Sequence, residues 1–118
     1  MVSYAQARAL DPNYNANESS YAWRINYDHL ESEHVDINGP HNATAVQLGI
    51  LAHPRLNAHL DNLTRFRIYD DDGELYFSGY FLGDSESEEA FGPLDDFGAP
   101  DSGATEIRYL RGEEWETL

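Results

Sequence analysis

Residues 64–82, TRFRIYDDDGELYFSGYFL, leave the backbone little choice. Phe66 and Ile68 alternate with Arg65, Arg67 and Tyr69, and after the turn Leu75, Phe77 and Phe81 alternate with Tyr76, Ser78 and Tyr80. A period of two sends successive side chains to opposite sides, so each run predicts a half-buried strand. Between them Asp71-Asp72-Gly73 supplies a loop. Aspartate hydrogen-bonds its own backbone and glycine takes the left-handed residue. The two runs predict a β-hairpin.

The rest of the chain is read against that hairpin. In YAWRINYDH, Tyr21, Trp23, Ile25 and Tyr27 alternate with Arg24, Asn26 and Asp28, which predicts another strand. ESEHVDINGPHN reads as a loop closed by Gly39-Pro40. Thr44 and Gln47 have the spacing of a capping box, so a helix is expected from Ala45. His53-Pro54 interrupts it, and Pro54 can open a second turn with Leu56, Leu60 and Leu63 inward. Residues 84–104 are acidic and rich in Gly and Pro, a long loop with one short turn around Glu88–Leu94. TEIRYL and EWETL, joined at Arg111-Gly112, form a terminal hairpin. Residues 1–20 are Asn-rich and aperiodic, and are read as a mobile arm with a short helix at Tyr4–Leu10. At 118 residues the remainder, 21–118, makes one domain. The expected class is α+β: an antiparallel sheet of four to five strands with one interrupted helix packed on a face.

Charge bounds the function. There are 22 acidic residues against 7 basic ones, a net charge of −15, and every cation is an arginine. From Ile68 to Ile107 there are 12 carboxylates and no cation. Direct binding to nucleic acid or an anionic membrane needs a positive footprint, so neither is expected. A basic partner, a multivalent cation, or a solvent that favours acidity fits instead. No run approaches the length of a membrane span, the opening residues lack a signal-peptide layout, and cysteine is absent, which together suggest the cytoplasm.

Most motif-like stretches reduce to local chemistry. DDDGE fails the calcium-loop pattern, because Gly73 is fourth from Asp70 where an EF-hand needs it sixth. Asp96-Phe97-Gly98 has no kinase around it, since the chain lacks lysine. The five histidines form no i, i+4 pair and no HExxH, so neither a metal nor a cofactor is expected. The sequons at Asn17, Asn42 and Asn62 read as loop and cap chemistry. Asp95/Asp96 could do acid–base work, but a Gly/Pro loop is not the apolar cleft that raises a carboxyl pKa.

The acidic run therefore carries the functional reading. One reading is solvent adaptation, since lysine-poor, carboxylate-rich composition resembles that of proteins from concentrated salt. The other is imitation of a nucleic-acid backbone. Spread over about 6,500 Å², −15 gives one net charge per ~430 Å², against one per ~110 Å² on a duplex. Only clustering closes the gap, and the cation-free window predicts clustering.

Tyr69–Gly73, Tyr76, Gly79, Pro93–Gly98 and Gly103–Tyr109 resemble a family of small uncharacterised acidic proteins common in phages and mobile elements. The resemblance brings no activity with it. By analogy, acidity and size are similar to those of phage anti-CRISPR and antirestriction proteins that mimic DNA. The expected function is a non-enzymatic inhibitor that blocks a basic nucleic-acid-binding host protein. Asp70, Asp71, Asp72 and Glu74 would present a charge cluster at the hairpin tip, extended by Asp84, Glu86, Glu88, Glu89, Asp95 and Asp96. The alternatives are a salt-adapted or accessory binding protein and a small carboxylate-based metal hydrolase.

Overall fold

The computed structural model describes residues 20–118. The arm expected over residues 1–20 and its short helix lie, apart from Ser20, outside the described residues. Six strands form one antiparallel sheet: β1 (Ala22–Asp28), β2 (Glu33–Gly39), β3 (Leu63–Tyr69), β4 (Leu75–Leu82), β5 (Glu106–Arg111) and β6 (Glu114–Thr117). Their order across the sheet is β2-β1-β4-β3-β5-β6, so the predicted hairpin β3–β4 forms its centre. The α+β class is as expected, with more strands than the four to five read from the sequence.

The additional strand is β2, where the composition of ESEHVDINGPHN predicts a loop. Val35 and Ile37 turn toward the core with Gly39, while His34, Asp36 and Asn38 are exposed. Only two bulky apolar residues mark this alternation, and an edge strand needs no more than one greasy side. The β1–β2 turn is tied by Asp28, whose Oδ1 accepts hydrogen bonds from the amides of Leu30 (2.9 Å) and Glu31 (3.1 Å).

A second correction concerns β1. Its register shifts between Ile25 and Tyr27: against β4, Asn26 is an extra residue on β1, and against β2 the additional residue lies on β2. Tyr27 then pairs with Ser78 rather than continuing the face of Trp23 and Ile25. A one-residue insertion moves every later side chain to the other side. Tyr27 instead packs against His29 and His34, at ring separations of 4.6 and 5.1 Å.

Helix α1 (Ala45–Ala52) starts where the capping box predicts. Gln47 donates its amide to Thr44 Oγ1 at 3.1 Å, and Gln47 Oε1 accepts from the Thr44 amide at 2.9 Å. After His53 the chain continues as turns, and the Asn57 side chain donates to the carbonyls of Ile50 and His53. That bond turns Asn57 inward and leaves Leu56 exposed, against the expectation that it would be buried. Leu60 and Leu63 do pack beside Ile50, Leu51, Ala22 and Leu82, where α1 covers one end of the sheet.

The larger core lies on the opposite face. Trp23, Ile25, Phe66, Ile68, Phe77, Phe81, Ile107 and Tyr109 are closed over by Ala90, Leu94 and Ala104. These last residues belong to the segment read as loop. It is a 3-10 turn (Glu88–Phe91), a π-helical turn (Pro93–Gly98) and a short helix α2 (Ala99–Ser102). Ala90, Leu94 and Phe97 keep helical spacing on one side, and the Tyr109 hydroxyl donates to the Ala90 carbonyl at 2.6 Å. Burial pushes the Tyr109 phenol pKa far up, which favours the protonated, donating form of this phenol.

Candidate interaction surface

The hairpin tip is built by Asp70. Its Oδ1 accepts from the amides of Asp72 (2.9 Å) and Glu74 (2.8 Å), and Gly73 takes φ +81°. The tip is thereby fixed, and Asp70, Asp71 and Asp72 hold carboxylate oxygens within 4.8 Å of one another. The Tyr76 phenol beside them is held above its ordinary pKa by partial burial, then by Asp70, Glu74 and Asp71. Three such carboxylates could share a cation, but the tip is exposed and lacks the apolar burial a catalytic carboxyl needs.

Asp84 does the equivalent work after β4. Its Oδ1 accepts from the Glu86 amide at 3.0 Å, and its carbonyl accepts from the Ser87 hydroxyl at 2.7 Å. Ser85 between them is buried, with its carbonyl accepting from Arg111 Nη2 at 2.8 Å and its hydroxyl contacting Thr64 and Arg111. Glu89 accepts from the Ser20 hydroxyl, and Asp95 and Asp96 stand exposed on the first turn of the π-helical segment. The Tyr21 phenol is raised by burial and then by Asp96 and Glu89, which places both carboxylates beside one ring.

These groups do not form one patch at the tip. The tip and Asp84 lie at opposite ends of β4, about 25 Å apart for eight residues in a strand. The segment after Asp84 then runs back over the core face, and the Thr105 amide reaches the Tyr69 carbonyl at 3.0 Å beside the tip. The ten predicted residues therefore fall into two groups, Asp70 to Glu74 at the tip and Asp84 to Asp96 beyond the other end of β4, where Glu89 and Asp96 both flank Tyr21. Two further acids join at the tip end. The His29 amide donates to the Tyr76 carbonyl at 2.8 Å, which brings the turn carrying Glu31 and Glu33 alongside. Sequence reasoning missed them because only pairing between distant strands brings them there.

Arg111 lies beside the second group, donating to Ser85 between Asp84 and Glu86. Among the described residues the ion pairs are Arg24–Asp36, Arg108–Glu106 and Arg111–Glu116, and none of the ten predicted carboxylates is in one. Arg24, Arg65, Arg67 and Arg108 share the sheet face opposite the large core, as the pairings Arg24↔Tyr80, Arg65↔Tyr80 and Arg67↔Arg108 require. Arg67 and Arg65 lie 4.1 and 5.5 Å from the Trp115 ring centre, and Arg108 lies 4.1 Å from that of Tyr69. In a chain with threefold acid excess, two arginines thus clasp an indole instead of a carboxylate.

This face also sets one titration. His29 Nε2 lies 3.0 Å from Ser78 Oγ, and its pKa is lowered from 6.5 by burial, then by Arg67, with Asp28 opposing. The unfolded chain therefore takes up the proton first as pH falls. Stability contributed by neutral His29 is complete above pH 6.5 and is lost as pH drops through the native pKa. The His29 ring resonance should titrate below 6.5, and Arg67→Gln should raise its midpoint. An unchanged midpoint in Arg67→Gln would remove Arg67 from this environment.

Compared with family models, curated proteins and solved structures, the chain finds no match.

Proposed function

We propose that this chain is a non-enzymatic acidic inhibitor, of the kind carried by phages and mobile elements. It docks on the nucleic-acid site of a basic host protein in the cytoplasm, in the manner of an anti-CRISPR or antirestriction DNA mimic. The observation that supports the reading is charge separation: ten carboxylates on a fixed tip and a packed return segment make no ion pair among the described residues, while four arginines gather on the sheet face opposite the large core. Partial burial of Tyr21 and Tyr76 beside these acids makes the surface a shaped one, not a floating tail.

Local repulsion gives the arrangement a cost. Two carboxylates 7 Å apart in water oppose each other by about 0.6 kcal/mol before screening. A basic groove removes that repulsion on contact, and its field speeds the encounter. The test is capture of host proteins on the immobilised chain at low salt, followed by competition with duplex DNA. Retained proteins should be basic nucleic-acid binders and should leave when the duplex is added. Retention of no basic protein, or retention indifferent to excess duplex, defeats the mimic. If thermal stability then also rises steadily up to molar salt, the acidity belongs to solvent adaptation.

A further inference from the structure

Asp96 borders a cavity. Between the outer edge of the sheet and the π-helical turn lies a space of about 540 Å³, walled by Trp23, Ile37, Pro40 and Phe97 and by the polar Asn38, His41 and Asn42, with Asp96 at its margin. Gly39 makes room for it. A Cβ there would stand 2.3 Å from Trp23 Cζ2, so glycine lets the indole lie across the β2 backbone and reach the cavity. Phe97 is held against Phe77 at 5.1 Å, edge to face, and Trp23 is only 3% exposed. These walls are thus set before any ligand arrives.

We infer that this cavity is an anchor site for one arginine side chain of the basic partner. The inference rests on the inhibitor reading for the identity of that partner, and on the cavity for the chemistry. A space of this size with two aromatic walls and polar side chains at Asn38, His41 and Asn42 has room for a bound side chain, and the one carboxylate lining it favours a cation. Guanidinium is the cation that fits both features. It is planar and weakly hydrated, lies against aromatic rings, and pairs with a carboxylate through two parallel N–H donors. An ammonium holds its water more tightly and gains less from such walls. Asp96 has no ion pair among the described residues. In this arrangement the exposed carboxylates gather the partner, and Asp96 with Phe97 and Trp23 fixes its register by enclosing one residue, as buried arginine anchors do at protein interfaces.

The experiment uses a small probe, so that it does not depend on finding the partner. N-acetyl-arginine amide is titrated into the ¹⁵N-labelled chain, with N-acetyl-lysine amide as comparison. Trp23 Nε1 is buried without a hydrogen-bond partner among the described residues, and the resonance of its N–H serves as reporter. A saturable shift is expected with Kd on the order of 1 mM, the range for so few atoms. Asp96→Asn should weaken it about tenfold, the loss of a charge-assisted contact. Phe97→Leu, which keeps the core filled, should weaken it severalfold. Asp71→Asn with Asp72→Asn, about a strand length away, should leave it unchanged. The lysine probe should bind more weakly than arginine. No saturable shift, equal binding by Asp96→Asn, or loss in the tip variant would overturn the anchor site. Such a failure alongside DNA-sensitive capture would leave the inhibitor reading standing, and arginine binding without capture would do the reverse.

Discussion

Gly79→Ala should leave the chain largely unfolded at 25 °C. Gly79 sits in β4 between Ile25 of β1 and Phe66 of β3, at the middle of the sheet. A Cβ at this position would lie 1.9 Å from the Arg24 carbonyl oxygen and 2.9 Å from the Ile25 Cα. Both are backbone atoms, so no side-chain rotation relieves the collision. Strands β1 and β4 have to part at the bulge, which withdraws Trp23 and Ile25 from the large core. The expected loss exceeds ~4 kcal/mol, against total stabilities of about 5–15 kcal/mol for domains of this size. Urea unfolding followed by far-ultraviolet circular dichroism measures it. Gly49→Ala is the companion measurement. Nothing lies within 4 Å of its Cβ position, and it is exposed within α1. There the same methyl group should stabilise by about 0.5–1 kcal/mol. A wild-type midpoint for Gly79→Ala would mean that β1 does not pair with β4 in this register.

The second large effect concerns where the charge sits. Asp71→Asn, Asp72→Asn, Glu86→Gln and Glu88→Gln together take the net charge from −15 to −11 (−15 plus 4). All four positions are exposed, and none contacts a cation among the described residues. Folding should survive, with less repulsion. Association with a captured basic protein at low salt should slow about tenfold or more, since steering fields raise encounter rates by roughly 10–10³. The difference should fade near 1 M salt, where the screening length falls to about 3 Å. Arg65→Gln with Arg67→Gln moves the charge the other way, from −15 to −17 (−15 minus 2), on the far face of the sheet. If location governs, this pair alters the rate little. Stopped-flow association rates decide it, and rates that follow net charge alone for both variants would dissolve the surface into general acidity.

The stretches on which the sequence reading bases a phage-family resemblance are largely structural here. Gly79 is where two backbones nearly touch, and Pro93–Gly98 packs Leu94 into the large core. Such positions speak of the fold more than of the partner, so that resemblance on its own carries no activity.

Local patterns were legible wherever the physics was local. The β3–β4 hairpin, the Thr44–Gln47 box and the terminal hairpin each depend on neighbours a few residues apart, and period and turn chemistry report them. The segment after β4 was harder because Ala90, Leu94 and Phe97 do keep helical spacing, yet glycine, proline and carboxylates between them mask it. Leu56 misled for a similar reason, since its fate hangs on the Asn57 side chain bonding backward to Ile50 and His53.

The amino-acid order alone decided that a stiff ribbon would sit amid unneutralised carboxylates, because alternation, turn propensity and charge count are properties of neighbours. Tertiary structure decided which face those charges would share. The pairing of distant strands put four arginines on one face of the sheet, and the return crossing over the core brought Asp96 beside Trp23 and Gly39. Those outcomes hang on contacts between residues far apart in the chain, which no local period encodes.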